Sequence, residues 1–166
     1  MKVGILSDTH IPTRAKALPK EVIQAFRDVD YIIHAGDITS LEVLDELAEL
    51  APVAAVCGNV DRDDKLQAIL SDKEIVTLNG YRIGITHGHR RTGRTTLDRA
   101  MKCFEKDEVD CIIFGHSHMP YCEYVNNVLM FNPGSPTDKR RNEFYSFGIM
   151  ELGDRIKAEH IFFKKG

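Results

Sequence analysis

Apolar runs in this chain are short, about five residues each, and five of them end on a compact polar block. The blocks are Asp8-Thr9-His10, Gly36-Asp37, Gly58-Asn59-Val60-Asp61, His87-Gly88-His89 and Gly115-His116-Ser117-His118. Runs of this length suit buried strands and fall far short of the roughly 20 apolar residues that span a bilayer. In open α/β folds, ligands bind just beyond the carboxyl ends of parallel strands, where loops far apart in sequence converge. The pattern therefore confines the chain to an architecture whose strands deliver polar groups to one rim.

Between the early blocks the chain alternates strand-like and helix-like segments. Val3 to Leu6, Tyr31 to Ala35 and Val53 to Val56 read as strands. Pro19 to Arg27 reads as a helix with Pro19 in its first turn and Val22, Ile23 and Phe26 on one face. Ser40 is placed to cap a helix running to Leu50, with Leu41, Leu44, Leu47 and Ala48 facing inward, and Leu66 to Leu70 lies in a short helix. This βαβαβ rhythm predicts parallel strands with right-handed crossovers.

The second half is richer in strands. Glu74 to Leu78 and Arg82 to Thr86 flank the hairpin signal Asn79-Gly80-Tyr81. A helix follows from about Thr95 to Lys106, with Leu97, Ala100, Met101 and Phe104 on its apolar face. Further strands are Cys111 to Phe114, Tyr121 to Val125, Val128 to Phe131, Phe144 to Leu152 and Arg155 to Phe163. So many strands in 166 residues predict an α/β fold of two packed mixed β-sheets flanked by helices, a four-layer αββα sandwich. With no repeat or linker, residues 1–166 read as one domain.

A net charge of −3 provides no positive field to gather nucleic acid and argues against an extended nucleic-acid track. The local cluster Arg90, Arg91 and Arg94 follows the His87 block directly, and Arg90 and Arg91 are candidates for a phosphate-binding rim. Cys57, Cys103, Cys111 and Cys122 form no C-x-x-C pair and read as reduced, structural thiols. Ser7 and Asp8 interrupt the first apolar run before it can serve as a signal sequence, so a cytoplasmic location, away from the membrane, is expected. Strand-rich segments near the end of the chain leave a homo-oligomer open.

Five of the seven histidines fall inside the polar blocks. Asp8 or Asp37 alone would read as a helix cap or turn residue, and His116 or His118 alone as an ordinary loop histidine. Together, convergence of the blocks would set Asp8, His10, Asp37, Asn59, His87, His116 and His118 around one crevice. Seven oxygen and nitrogen donors are too many for one tetrahedral zinc. They suit two metals roughly 3.5–4 Å apart with a shared carboxylate, for which Asp37, alone in its block, is the natural bridge. His34 lies inside an apolar strand and reads as a satisfied core histidine, whereas His160 reads as surface-facing.

The ordered series D-x-H, G-D, G-N-x-D, H and G-H-x-H resembles the calcineurin-like metallophosphoesterases, and within them the small single-domain phosphodiesterases of bacteria and archaea. The likeness spans essentially the whole chain and includes Asn132-Pro133-Gly134-Ser135, which is similar to a late turn motif of that subfamily. The resemblance implies one metal on Asp8, His10, Asp37 and His118 and another on Asp37, Asn59, His87 and His116. It implies two divalent ions, manganese ranked first and nickel, iron or zinc after it, a small phosphodiester substrate, and in-line attack by a metal-bridging hydroxide. Asp61 is expected to hold a neighbouring ligand or water.

Two positions depart from that family. Many relatives carry histidine where this chain has Val60, and valine cannot donate a proton to a leaving group. His89, two residues from His87, is the candidate replacement, so Asn59, Asp61 and His89 form the expected catalytic set. Relatives with a ferric site place tyrosine three residues after the bridging aspartate, where this chain has Ser40, which favours two divalent ions. A phosphomonoesterase remains an alternative, as does a non-catalytic protein-interaction scaffold, the role of a eukaryotic retromer subunit with the same small fold.

Overall fold

The computed structural model describes residues 1–90 and 92–165. In chain order the elements are β1 (Lys2–Leu6), α1 (Lys20–Phe26), β2 (Tyr31–His34), α2 (Leu41–Ala48), β3 (Val53–Ala55), α3 (Asp64–Ile69) and β4 (Lys73–Leu78). They continue with β5 (Tyr81–Thr86), α4 (Thr96–Cys103), β6 (Cys111–Ile113), β7 (Tyr121–Val125), β8 (Val128–Asn132), β9 (Tyr145–Leu152) and β10 (Ile156–Phe163). Two five-stranded sheets result, ordered β10-β9-β1-β2-β3 and β4-β5-β6-β8-β7. β1, β2 and β3 are mutually parallel, as are β5, β6 and β8, while the remaining pairs are antiparallel.

Side-chain alternation separates the layers. Val3, Ile5 and Ile33 point between the sheets and meet Ile83, Ile85, Ile113 and Phe131 in a central core. Leu6 and Ile32 point outward, beneath Val22 and Phe26 of α1 and Val43 and Leu47 of α2. On the opposite flank Ala100 of α4 and neighbouring Phe104 cover Ile112 and Met130. The four layers expected from the strand count are therefore present. Side chains such as Phe26 and Leu47, wholly buried, each contribute about 2–3 kcal/mol of transfer free energy.

Local signals explain several boundaries. Asn79 (φ 48°) and Gly80 (φ 86°) take the left-handed conformations of a two-residue turn, and Leu78 pairs with Tyr81 across it. Asn126 and Asn127 do the same between β7 and β8. α4 begins in a reciprocal cap: the Asp98 N–H donates to Thr95 Oγ1 and the Thr95 N–H to Asp98 Oδ2, both at 3.1 Å.

Some expectations need correction. α1, α2 and α4 are shorter than the apolar patterns suggested, and α3 begins at Asp64 and ends before Leu70. On α2 the buried residues are Val43 and Leu47, whereas Ala48 is exposed. The Ser40 hydroxyl bonds the Glu42 carboxylate instead of capping the helix backbone. His160 does not face solvent: it is half-buried, stacks on Phe131 with centroids 4.6 Å apart, and donates to the Asn132 carbonyl at 2.7 Å. Cys57 and Cys111 are buried, but Cys122 is exposed and carries no packing role of the kind expected. No helix among the described residues is long and apolar enough to cross a membrane.

Candidate metal centre

All five polar blocks follow the ends of parallel strands, β1, β2, β3, β5 and β6, and the structure brings them together. The loops are laced at once: the Asp8 N–H donates to the Gly36 carbonyl (2.9 Å) and the His10 N–H to the Asp37 carbonyl (3.0 Å). Two groups of donors form, Asp8 with His10 and His118, and Asp37 with His87 and His116. Asp37 Oδ2 lies 3.2 Å from His87 Nε2 and 3.6 Å from His10 Nε2, so this one carboxylate faces both groups. Asn59 Oδ1 sits 3.1 Å from His87 Nε2 and 3.0 Å from His116 Nδ1.

Ring orientation is set from behind. His87 Nδ1 donates to the Ala35 carbonyl (2.7 Å) and His118 Nδ1 to the Asp138 carbonyl (2.6 Å). Each bond fixes a tautomer that turns Nε2 toward the carboxylates, the arrangement that metal-binding histidines use. Asp8 is held similarly. Its Oδ2 accepts from the Ser7 hydroxyl (2.5 Å) and the His116 N–H (3.0 Å). Its Oδ1 is buried without a hydrogen-bond partner and points at His118 Nε2 (3.3 Å), His10 Nε2 (3.8 Å) and His87 Nε2 (3.8 Å). An orphaned carboxylate oxygen aimed at a ring of imidazole nitrogens is a demand for positive charge, and the O/N donor set fits manganese, iron, nickel or zinc.

The protonation equilibria express the same demand. Burial disfavours the His87 imidazolium, yet Asp8 and Asp37 outweigh it and raise the pKa to about 9. Burial likewise opposes ionisation of Asp8, but His87, His10 and His118 hold its carboxyl well below the usual range. His34 behaves differently. Fully buried, it accepts from the Gly36 N–H at Nδ1 (3.2 Å) and faces Thr9 Oγ1 with Nε2 (3.1 Å), and burial takes its pKa down to about 3. It is the satisfied core histidine that its strand position implied.

Close approach makes two glycines obligatory. A Cβ on Gly58 would collide with Asp37 Oδ1 and its main-chain nitrogen, and one on Gly115 would collide with Ser7 Oγ. Five of the seven candidate ligands take left-handed backbone: Asp8 (φ 56°), His10 (44°), Asp37 (56°), His116 (69°) and His118 (59°). Such residues are uncommon outside functional sites, although aspartate and histidine tolerate the region better than most.

Asp61, 2% exposed, accepts three main-chain N–H groups, from Asp37 (2.9 Å), Thr39 (2.7 Å) and Gly58 (2.7 Å). His89 lies beside the second group, with ring centroids 5.3 Å from His87 and 6.3 Å from His116. Its Nε2 accepts from Arg90 Nε (3.2 Å), leaving a buried Nδ1 with no partner among the described residues. Burial and then His87 lower its pKa to about 4, so the ring is neutral at pH 7. The Arg90 guanidinium is committed to Asp72 (2.8 Å), and Arg91 lies outside the described residues. Ser135 stands out in the sequence only as the last residue of the Asn132-Pro133-Gly134-Ser135 turn motif, and Ser7, Thr137 and Asp138 carry no site signal of their own, although the end of a sixth strand, β8, is again an apolar run closing on a polar residue.

Carboxylate and imidazole groups paired at the carboxyl ends of parallel strands, on a two-sheet α/β sandwich, are the plan of a metal-dependent hydrolase. The profile of the calcineurin-like phosphoesterase superfamily domain matches residues 1–155, and the chain belongs to that family. A probable metallophosphoesterase of Methanothermobacter thermautotrophicus is 37% identical over 161 residues, 97% of this chain and 92% of that protein. Phosphodiesterase MJ0936 of Methanocaldococcus jannaschii is 36% identical over 149 residues, covering 81% of this chain and 83% of the relative. Among solved structures, a novel archaeal phosphodiesterase superposes with a TM-score of 0.77 at 28% identity, over 98% of this chain and 100% of the other. A single mutant of Vps29 from Entamoeba histolytica gives a TM-score of 0.76 at 25% identity, over 99% of this chain and 100% of the other.

Proposed function

We propose that this protein is a divalent-metal-dependent phosphodiesterase whose two cation sites share Asp37. The observation that carries the reading is the pairing of an unpartnered, buried Asp8 Oδ1 with a carboxylate that faces both histidine groups. Asp8, His10, Asp37 and His118 would hold one cation, and Asp37, Asn59, His87 and His116 the other. Bound there, divalent ions supply Lewis-acid binding of phosphoryl oxygens and water of lowered pKa, with manganese first among the candidates.

The chain's own residues then divide the work. The carbonyls of Ala35 and Asp138 keep two imidazoles turned toward the donors. Val60 fills the position of a usual proton donor with an alkyl group, and its N–H is spent on Asp37 Oδ1 (3.0 Å). His89, neutral and with an Nδ1 that has no partner among the described residues, is the candidate donor of a hydrogen bond toward a leaving oxygen. A neutral donor helps less than an imidazolium, so diesters with good leaving groups are the favoured substrates.

A diester is preferred over a monoester because Arg90, a cation flanking the centre, is already paired with Asp72, and a dianion would demand more positive charge. A scaffold role on the same fold is the second reading, and metal-dependent turnover separates the two. We place the reaction in the cytoplasm, where four free cysteines stay reduced, and treat the chain as one catalytic domain.

The test is manganese-dependent hydrolysis of an aryl phosphodiester by the purified protein, with Asp37→Ala and His116→Ala alongside. Turnover that needs metal and disappears in both variants is expected. Inactivity with every divalent metal, or activity unchanged in both variants, would overturn the reading.

A further inference from the structure

The turn after β8 is absent from the donor set, yet it grips one half of it. Ser135 and Thr137 are 1% and 4% exposed. Ser135 Oγ donates to the Asp8 carbonyl (2.8 Å) and accepts from the N–H groups of Thr137 (3.2 Å) and Asp138 (2.8 Å). Thr137 Oγ1 donates to the Thr9 carbonyl (2.6 Å), with the Asp8 carbonyl at 3.2 Å. The next residue, Asp138, accepts from His118 Nδ1 through its carbonyl and pairs its carboxylate with Arg14 Nε (3.4 Å). Arg14 in turn donates its N–H to the His10 carbonyl (2.8 Å).

Apart from the two bonds that close the turn on itself, these contacts reach the loops of Asp8, His10 and His118. The other group has clamps of its own: Asp61 holds the loops of Asp37 and Asn59, and Ala35 orients His87, so beyond the three bonds that lace the groups (Asp8 N–H to Gly36, His10 N–H to Asp37, His116 N–H to Asp8 Oδ2) its bracing does not pass through the turn. No hydrogen bond from Ser135 or Thr137 touches Asp37, Asn59, His87 or His116 among the described residues.

We infer that Ser135 and Thr137 are positioning residues for one cation subsite alone, the Asp8/His10/His118 group, so the two subsites are braced and tuned separately. This rests on the two-cation reading above. The physical basis is backbone conformation. Asp8 and His10 sit in left-handed conformations that cost energy even for aspartate and histidine, and the two hydroxyls pin the carbonyls of Asp8 and Thr9 between them. Without those bonds the Asp8–His10 loop relaxes, while the Asp37 loop keeps its own clamp. Outer partners of this kind typically change metal affinity by about 10–100-fold.

Metal binding is measured directly, by electron paramagnetic resonance of free Mn²⁺ titrated with metal-stripped protein. Thr137→Val is made in two backgrounds: His116→Ala, which leaves the Asp8 group complete, and His10→Ala, which leaves the Asp37 group complete. We expect Thr137→Val to weaken Mn²⁺ binding at least about tenfold in the His116→Ala background and less than about twofold in the His10→Ala background. Thr137→Ser, which keeps the hydroxyl, restores parental affinity, and Ser135→Ala serves as a second disruption should Thr137→Val fail to fold. Equal losses in both backgrounds, or a loss confined to His10→Ala, would overturn the separate brace. Unsubstituted protein that binds fewer than two Mn²⁺ ions would instead remove the two-cation reading and this inference with it.

Discussion

Replacing Asp61 by asparagine removes a charge and almost no volume, so its cost isolates what the carboxylate does. Both oxygens are spent on main-chain donors: Oδ2 on the N–H groups of Asp37 and Gly58, Oδ1 on that of Thr39. In the better amide orientation the asparagine oxygen keeps the first two, and its NH₂ then faces the Thr39 N–H. One buried donor loses its acceptor, which costs about 1–3 kcal/mol. The two retained bonds pass from charge-assisted to neutral, each weakening by about 1 kcal/mol, while relief of a buried charge returns part of that. The expected loss is about 3 kcal/mol. Urea unfolding of metal-stripped protein, followed by far-ultraviolet circular dichroism, reads it as a lower midpoint at unchanged slope. Because Asp61 fixes the loop that carries Asp37, Mn²⁺ affinity should fall as well, by about 10–100-fold. A loss of stability below about 1 kcal/mol together with parental Mn²⁺ affinity would refute the clamp, since three bonds of this kind cannot be worth so little if they hold the loop.

Gly58→Ala should abolish tight Mn²⁺ binding because its Cβ would occupy the space of Asp37 Oδ1, and calorimetric titration of the folded variant checks this. His34, with its pKa at about 3 against an ordinary 6.5, stays neutral when folded while the unfolded chain protonates below pH 6.5. Stability must then fall as pH drops from 6.5 toward 3, roughly tenfold in the folding constant per pH unit, and urea midpoints of His34→Gln should lose that part of the slope. Val60→His should raise turnover of alkyl phosphodiesters more than of aryl ones, and equal effects on both count against a missing proton donor at that position. Saturating Mn²⁺, at about 100 times the dissociation constant of each of two sites, should add about 5 kcal/mol and lift the thermal midpoint by about 10–20 °C, reversibly with chelator.

What the sequence made legible follows from periodicity and strand ends. β1, β2, β5 and β6 bury their side chains on both faces, so they stand out as apolar runs, and the polar residue that closes each run marks the rim. Features whose role is not visible in residue type were harder to read, even at a strand end such as that of β8. Serine and threonine that bond main-chain carbonyls, as Ser135 and Thr137 do, look in sequence like any polar turn. His160 lay on a two-residue alternation with Ile156 and Ala158, which face the inter-sheet core, but its polarity outweighed that pattern. On α2, a helix of only eight residues, a small shift in assumed phase was enough to exchange Val43 for Ala48 on the buried face.

The hidden part is also what makes the visible part possible. Five candidate ligands in left-handed backbone cost on the order of 1 kcal/mol each, a sum comparable to the lower end of a domain's whole stability. Adding a buried, unpartnered Asp8 Oδ1 raises the strain of the metal-free site further. Residues at such positions persist only where the surroundings over-determine them. Here the surroundings are the Asp61 carboxylate on one side and the Ser135 and Thr137 hydroxyls on the other, each buried and each spending its oxygens on the main chain of a ligand loop. A sequence that kept all seven donors but lost these three residues would still offer every metal-ligand position of the family's series. Its loops would relax out of the left-handed region, and the donors would no longer converge.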